Sequence, residues 1–139
     1  MTVTIPKERV TPARIEELGK NEIFVFGSNL RGAHLGGAAA TARRKWGAVM
    51  GQGVGMQGKT YAIPTMFASV GQIAPYGDQF ISYAKQYPDT VFLVTEIGCG
   101  IAGFSPVDIA PLFKNAMKEQ NIHLPLSFWQ VLTEKQGDE

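Results

Sequence analysis

Glycine is distributed unevenly along this 139-residue chain, and that distribution constrains the fold more than any other feature. Nine of the 16 glycines lie between residues 27 and 58, and a second cluster contains Gly98, Gly100 and Gly103. Glycine permits left-handed backbone and close approach of the main chain to a ligand. Apolar runs typical of buried strands precede the clusters, at residues 22–26 (EIFVF) and 91–97 (VFLVTEI). The sequence therefore predicts two glycine-rich loops that begin where buried strands end.

The rest of the chain predicts alternating strands and helices. Strands are expected at residues 2–5, 60–63 and 126–132, and helices at residues 11–19, 38–46, 73–87 and 105–117. Because of Pro111, the last helix should either kink or start later than residue 105. This order favours an α/β domain whose sheet has helices on both faces. In such sheets ligands bind beyond the carboxyl ends of the strands, so we expect the two loops to meet at one edge.

Composition excludes several classes of protein. Hydrophobic residues make up 45% and charged residues 18%, which is typical of one packed domain, and a net charge of +1 is unlike a nucleic-acid binder. No run approaches the ~20 apolar residues of a membrane helix, and the N-terminus lacks a signal-peptide core. The single cysteine, Cys99, fits a reducing compartment. We therefore expect one cytoplasmic domain at residues 1–133 with a frayed tail at residues 134–139. It should bind neither membranes nor nucleic acid, and no metal-ligand pattern is present.

The second loop, residues 98–104 (GCGIAGF), joins the strand at 91–97 to a helix start at Ser105, Pro106 and Asp108. Successive backbone N–H groups in such a loop, together with a helix N-terminus, form a concave anion site. A diphosphate suits that site, and the alternative is a turn that only reverses the chain.

The first loop is residues 27–37 (GSNLRGAHLGG). Asn29 offers a donor and an acceptor for ribose hydroxyls, or alternatively bonds its own backbone as a turn residue. Gly36 and Gly37 precede a helix and suit a further sugar or phosphate contact. His34 is expected to face the ligand, where it could polarise a water, although an ordinary solvated loop histidine fits the pattern as well.

The order of these segments resembles the macro domain family. Residues 23–29 (IFVFGSN), a Gly-Gly pair and a helix ending at Gly47 are similar to that family's strand, asparagine stretch, glycine run and helix. The second loop is similar, position by position, to the family's Ser-Thr-Gly-Ile-Tyr-Gly-Tyr loop. Residues 58–64 (GKTYAIP) resemble its Gly-Tyr-x-Leu-Pro strand. The resemblance covers most of residues 22–113 and implies a three-layer α/β/α domain with a mixed sheet.

Macro domains bind ADP-ribose, and some remove it from proteins, so the resemblance implies an ADP-ribose-like nucleotide or an ADP-ribosylated protein as partner, without a cofactor. Asn29 and Phe104 would lie near the distal ribose, and residues 98–103 would hold the diphosphate. Asn29 and His34 are the candidate catalytic residues. The implied ligand-binding residues are Gly27, Ser28, Asn29, Gly36, Gly37, Gly98, Cys99, Gly100, Ile101, Ala102, Gly103 and Phe104.

The chain departs from the family at several positions. Phe26 stands where the family often has its first asparagine, and Ala39 stands where many hydrolytic members have an aspartate. His34 and Leu35 replace two glycines, and the adenine-binding aspartate has no clear counterpart. Binding alone and hydrolysis of an ADP-ribosyl bond by an attacking water are therefore both kept as alternatives.

Two other functions compete with this interpretation. Residues 53–60 (GVGMQGKT) match the P-loop pattern G-x-x-x-x-G-K-T, but that motif needs a following helix and the next residues predict a strand. The simpler reading is a hairpin with Lys59 facing solvent. Cys99 could instead be a nucleophile whose pKa a helix N-terminus lowers, with His34 or His123 as base. Its alternative is a small residue in a phosphate loop.

Overall fold

A computed structural model describes residues 4–137, and the side chains of residues 4–134. The strands are β1 (Val10–Thr11), β2 (Glu22–Ser28), β3 (Gly55–Gln57), β4 (Thr60–Pro64), β5 (Val91–Val94) and β6 (Ile122–Pro125). The helices are α1 (Gly37–Trp46), α2 (Ala74–Lys85), α3 (Pro106–Ile109) and α4 (Leu126–Gly137), with 3-10 segments at Lys7–Arg9, Val70–Gln72 and Ala110–Lys118. None of these helices is both long and apolar enough to cross a membrane.

The strands form one six-stranded sheet in the order β1-β6-β5-β2-β4-β3. Every neighbouring pair is parallel except β3 and β4, which are antiparallel. The central strand β2 pairs with β4 on one side and β5 on the other. Because these three strands run in the same direction, their carboxyl ends lie at one edge of the sheet. The predicted α/β class is confirmed.

Successive side chains of a strand point to opposite faces of the sheet, and on β2 the side chains of both faces are buried. On β2, Ile23 and Val25 belong to the larger core, which also contains side chains of α2, the 110–118 segment and α4. Phe24 and Phe26 belong to a smaller core with Ala42 of α1. Alternation along one strand therefore explains why helices cover both faces, as the sequence predicted.

The elements around the first loop were predicted well. Strands β2 and β4 contain the predicted runs, and α1 begins one residue before its predicted start. Gly47 ends α1 with a left-handed φ of 86°, and its N–H donates to the carbonyl of Ala42. Only glycine adopts this conformation without strain, which is why a glycine after a basic last turn marks a helix end.

The predicted strand at residues 126–132 is wrong, because these residues form the start of α4. The buried side chains are Phe128, Trp129 and Leu132, and Leu132 lies four positions after Phe128 and three after Trp129. This spacing suits one helix face, although a short apolar run also suits a strand. The place beside β5 is taken by β6, immediately upstream. Helix α4 also includes residues 134–137, where a frayed tail was expected; residues 138–139 lie outside the described part.

The predictions for the N-terminal region also need correction. No helix forms at residues 11–19, and Val10 and Thr11 instead pair in parallel with Leu124 and Pro125 of β6. Thr4 and Ile5 are not in a strand, and residues 2 and 3 of that predicted strand lie outside the described residues. The Thr-Pro start signal for a helix is therefore overridden by tertiary contacts.

Arg9 supplies several of those tertiary contacts. Its guanidinium is buried and donates to the carbonyls of Ala116, Met117, Glu119 and Ile122. It also lies 5.0 Å from the ring centre of Trp129. Burying an arginine is costly unless its donors are satisfied, so these bonds hold the N-terminal segment against the end of the 110–118 segment.

Two further boundaries differ from the prediction. Strand β5 ends at Val94, and the next residue, Thr95, donates its N–H at 3.2 Å and its hydroxyl at 2.7 Å to the carbonyl of Val25. The predicted helix at 105–117 divides into α3 and the 110–118 segment, with non-helical backbone at Phe113. That interruption lies two residues after Pro111, where a kink was expected.

Candidate functional site

The two glycine-rich loops meet in an open cleft at the carboxyl edge of the sheet, which we call the first cleft. The first loop continues from β2, and the second loop follows the turn after β5. Together with residues after β4 they line a cavity of about 440 Å³. The loops come together because β2 and β5 are parallel neighbours, as the sequence predicted.

Most of the predicted ligand-binding residues line this first cleft. They are Gly27, Ser28, Asn29, Gly36, Gly37, Gly98, Gly100, Ile101 and Ala102. Three others, Cys99, Gly103 and Phe104, are not part of its lining. Prediction missed Ala33, Leu35, Ala38, Ala39, Thr65, Met66, Thr95, Glu96 and Ile97. Thr65 and Met66 follow β4 directly, so the rule that ligands bind after parallel strands could have found them.

Asn29 uses both polar groups of its side chain to close the first loop. Its Nδ2 donates to the carbonyl of Ala33 at 3.1 Å, and its Oδ1 accepts from the N–H of Ala33 at 3.0 Å. This is close to the turn role that competed with ribose binding. One amide hydrogen and one lone pair stay available to a ligand, so Asn29 can shape the loop and still contact a ribose.

His34 does not face the cleft, and that part of the prediction is wrong. Its side chain is fully buried, with its ring centre 5.1 Å from that of Phe26. Its Nε2 lies 3.0 Å from the carbonyl of Gln52 and 3.1 Å from Oε1 of Gln57. The carbonyl of Gln52 is an acceptor, and so is Oε1 of Gln57, because it also accepts from the N–H of Val49. Nε2 therefore carries the proton and ties the first loop to residues further along the chain.

Those residues form a supporting segment, residues 51–57, that packs directly under the first loop. The hydroxyl of Ser28 donates to the carbonyl of Gly53. A Cβ atom at Gly53 would overlap the carbonyl oxygen of Asn29, and one at Gly32 would overlap the backbone nitrogen of Gln52. Glycine at both positions is required for this close packing.

The P-loop interpretation is wrong. Strands β3 and β4 form an antiparallel hairpin, and Thr60 begins a strand where the motif requires a helix. The hairpin alternative is confirmed, with Gly58 at a left-handed φ of 61° in its turn. Lys59 is half-buried and donates to the carbonyl of Gly19 at 2.9 Å, so it does not simply face solvent.

The N-terminus of α1 opens into the first cleft. Gly36 precedes this ten-residue helix, no side chain caps it, and its first turn contains no acidic residue. Gly37, Ala38 and Ala39 line the cleft. The first N–H groups of a helix have no partner within it and carry partial positive charge, so this wall of the cleft suits an anion.

Helix α3, by contrast, does not contribute the anion contact that the sequence predicted. Its start is closed by a capping box in which the carboxylate of Asp108 accepts from the N–H and hydroxyl of Ser105, both at 3.0 Å. Asp108 also brings a negative charge there, and neither residue lines the cleft. From this side, the backbone groups that can contact an anion are those of Gly98, Gly100, Ile101 and Ala102, which line the cleft.

Cys99 is a poor candidate for a nucleophile. Burial raises the pKa of its thiol to about 11, and the carboxylates of Glu96 and Asp108 add to the rise. The Cys99 thiol lies 3.5 Å from the carbonyl of Ile97. The proposed bases are engaged elsewhere: His34 with the supporting segment, and His123 on β6, where burial and then the charge of Arg9 lower its pKa.

A second cleft of about 500 Å³ continues from the first along the same edge of the sheet. The two share Ala38, Thr95 and Glu96. The second is bounded by the residues after β1, by Phe24 of β2, and by Pro125, Leu126 and Ser127 at the start of α4. One groove therefore runs across the sheet from β4 to β1.

Charged side chains are few along this groove. Among the described residues, those lining it are Glu96 and Arg14. Arg14 is exposed and pairs with Glu16 at 3.1 Å. No group of three His, Cys, Asp or Glu side chains within the described residues could hold a metal ion.

Comparison with known proteins finds no matching family model, no matching curated protein and no matching solved structure. The fold and the groove define the class: an α/β domain with a mostly parallel six-stranded sheet and a candidate ligand groove at the carboxyl ends of its strands.

Proposed function

We propose that this protein binds ADP-ribose or a closely related nucleotide diphosphate in the groove. The observation that carries the proposal is that both glycine-rich loops and the uncapped N-terminus of α1 converge on one cleft. Parallel α/β sheets bind ligands at this edge. The resemblance of the two loops to those of macro domains supports the choice of ligand.

The diphosphate is assigned to the first cleft. No lysine or arginine is found among the described residues that line it, so backbone N–H groups must supply the positive potential. Gly37 and Ala38 provide such groups from α1, and Gly98, Gly100, Ile101 and Ala102 provide them from the opposite wall. Small residues let the main chain approach phosphate oxygens closely.

The two clefts fit a ligand with arms on both sides of a diphosphate. Each has a volume within the roughly 300–1,000 Å³ range of small-molecule sites. We place the distal ribose in the first cleft beside Asn29. The adenosine then extends into the second cleft, where Phe24 and Leu126 offer apolar contact. A mononucleotide would fill only one of the two.

The geometry favours binding over hydrolysis. Ala39 occupies the position of the family's hydrolytic aspartate, His34 is buried behind the loop, and Cys99 lacks a lowered pKa. A bound water in the first cleft would have Glu96 as its one ionisable neighbour among the described lining residues. We therefore propose recognition of the nucleotide, alone or attached to a protein, as the function.

Thermal stability measured against a small panel tests the proposal: ADP-ribose, AMP, NAD, and ATP with magnesium. A ligand at ~100 times its dissociation constant adds about 2.7 kcal/mol to the free energy of unfolding, which is several degrees of Tm. ADP-ribose should give the largest shift and AMP a smaller one. No shift with ADP-ribose, or a shift with ATP and magnesium alone, would contradict the proposal.

A further inference from the structure

Glu96 lies at the junction of the two clefts. It is the second residue after β5, its side chain is exposed, and it belongs to the short wall that both clefts share. Any ligand that extends from one cleft into the other must pass this carboxylate. Its position makes it a candidate for recognising the middle of the ligand.

The carboxylate is held in place on one side only. Its Oε2 accepts a short hydrogen bond from the hydroxyl of Ser127, at the start of α4. The preceding residue, Thr95, is fixed by its bond to the carbonyl of Val25. Within the described part of the chain, Oε1 has no hydrogen-bond partner, so it can accept from a ligand.

A carboxylate repels a nearby diphosphate, so the repulsion must be offset by a favourable contact between the carboxylate and another part of the ligand. Ionised carboxylates accept strong hydrogen bonds from hydroxyl groups. In nucleotide-binding α/β proteins an acidic residue near the strand ends accepts from a ribose 2′-hydroxyl, and a 2′-phosphate needs an arginine there instead. Arg14 lines the second cleft but is exposed and already paired with Glu16.

We infer that Glu96 is a specificity-determining residue whose Oε1 accepts a hydrogen bond from the 2′-hydroxyl of the adenosine ribose, between the two clefts. It thereby selects nucleotides with a free 2′-hydroxyl and rejects those with a 2′-phosphate. This inference rests on the proposed function and adds to it the class of nucleotide that the groove accepts.

Isothermal titration calorimetry tests the inference with three probes. They are ADP-ribose and two analogues that differ from it only on the adenosine ribose, one 2′-deoxy and one 2′-phosphorylated. The protein should bind ADP-ribose about tenfold more tightly than either analogue, the effect of one hydrogen bond to a charged group. Glu96→Ala should weaken ADP-ribose about tenfold and leave the 2′-deoxy analogue unchanged, so that the two bind equally.

Two further variants separate charge from shape. Glu96→Gln keeps an acceptor but removes the charge, so it should retain most of the affinity for ADP-ribose and improve binding of the 2′-phosphorylated analogue severalfold. Glu17→Gln removes an exposed carboxylate that lines neither cleft. It should behave like the parent with all three probes.

The outcomes distinguish this inference from the proposed function. Equal binding of the three probes by the parent, or discrimination that survives in Glu96→Ala, overturns the role of Glu96 and leaves ADP-ribose binding intact. If the parent binds none of the three, the proposed function fails and the inference fails with it.

Discussion

The two glycine-rich loops differ in how the rest of the protein holds them. The first loop packs closely against the supporting segment. A Cβ atom at Gly32 of the loop would overlap the backbone of Gln52, and one at Gly53 of the segment would overlap the carbonyl oxygen of Asn29. The second loop is open: a Cβ atom at Gly100 or Gly103 would meet nothing within 4 Å, and Ile101 is 82% exposed.

The comparison shows that glycine has a different structural role in each loop. In the first loop glycine allows two backbone segments to touch, so it contributes to stability. In the second loop Gly100 leaves space above the cleft, while Gly98 and Gly103 adopt left-handed φ values of 76° and 85°. Substitutions at Gly32 and Gly53, where the first loop meets the supporting segment, should therefore change stability, and those at the open positions of the second loop should change binding.

Gly53→Ala should have the largest effect. The added methyl group overlaps the carbonyl oxygen of Asn29, so the backbone must move, and we expect a loss of about 3 kcal/mol in the free energy of unfolding. Urea denaturation measures it. Gly100→Ala is the matched control and should change stability by less than about 0.5 kcal/mol. Equal losses in both variants would remove the distinction between the loops.

Gly100→Trp tests the second loop directly. A Cβ atom at Gly100 meets no atom within 4 Å and Gly100 lines the first cleft, so we expect the tryptophan side chain to obstruct the cleft and leave the fold intact. The melting temperature should stay near that of the parent, while ADP-ribose affinity falls at least about 100-fold, or about 2.7 kcal/mol. Gly71→Trp is the control, since Gly71 is exposed and lines neither cleft. Full binding by Gly100→Trp would place the ligand elsewhere.

His34→Ala examines how the first loop is supported. The change leaves a cavity beside Phe26 and removes the donor to Gln52 and Gln57. We expect a loss of about 2 kcal/mol in the free energy of unfolding. His34→Gln places an amide nitrogen near the position of Nε2 and should recover part of it. If His34→Ala keeps its stability but loses turnover of an ADP-ribosylated protein, a catalytic role for His34 is supported instead.

Cys99 gives the smallest effect and shows which part of the second loop faces inward. Burial raises its pKa to about 11, so the thiolate is scarce at neutral pH. Alkylation by iodoacetamide should be slow at pH 8 and accelerate only towards pH 11, whereas the chain unfolded in urea reacts at an ordinary thiol pH.

The sign of the linkage follows from that raised pKa. The folded state favours the neutral thiol, so the stability contributed by Cys99 is complete below its unfolded pKa. It should fall as the pH rises from about 9 to about 11. Rapid alkylation of the folded protein at pH 8 would contradict the partly buried position of the Cys99 thiol.

The parts of the fold that were predicted correctly share strong local signals. Strand β2 is an apolar run bounded by polar residues and glycine, and α1 ends in a basic turn followed by Gly47. The site prediction worked where it used topology: loops after neighbouring parallel strands must meet, and Gly27 and Gly100 line the same cleft.

The errors arose where a local pattern had two solutions. Residues 126–132 could form a strand or a helix, and the competition with β6 for the edge of β5 decided between them. The Thr11-Pro12 signal was overridden by the buried bonds of Arg9 to carbonyls more than 100 residues away. Such long-range contacts leave no mark on local periodicity.

The sequence alone determined the α/β class, the central strands and the meeting of two glycine-rich loops, because apolar periodicity and chain direction carry that information. Only the tertiary structure decided which glycines serve packing and which serve the cleft, and that His34 lies behind the first loop. It also decided that α1 rather than α3 presents a free N-terminus to the site. These features depend on contacts between segments distant in sequence, whose energies appear only when the chain is folded.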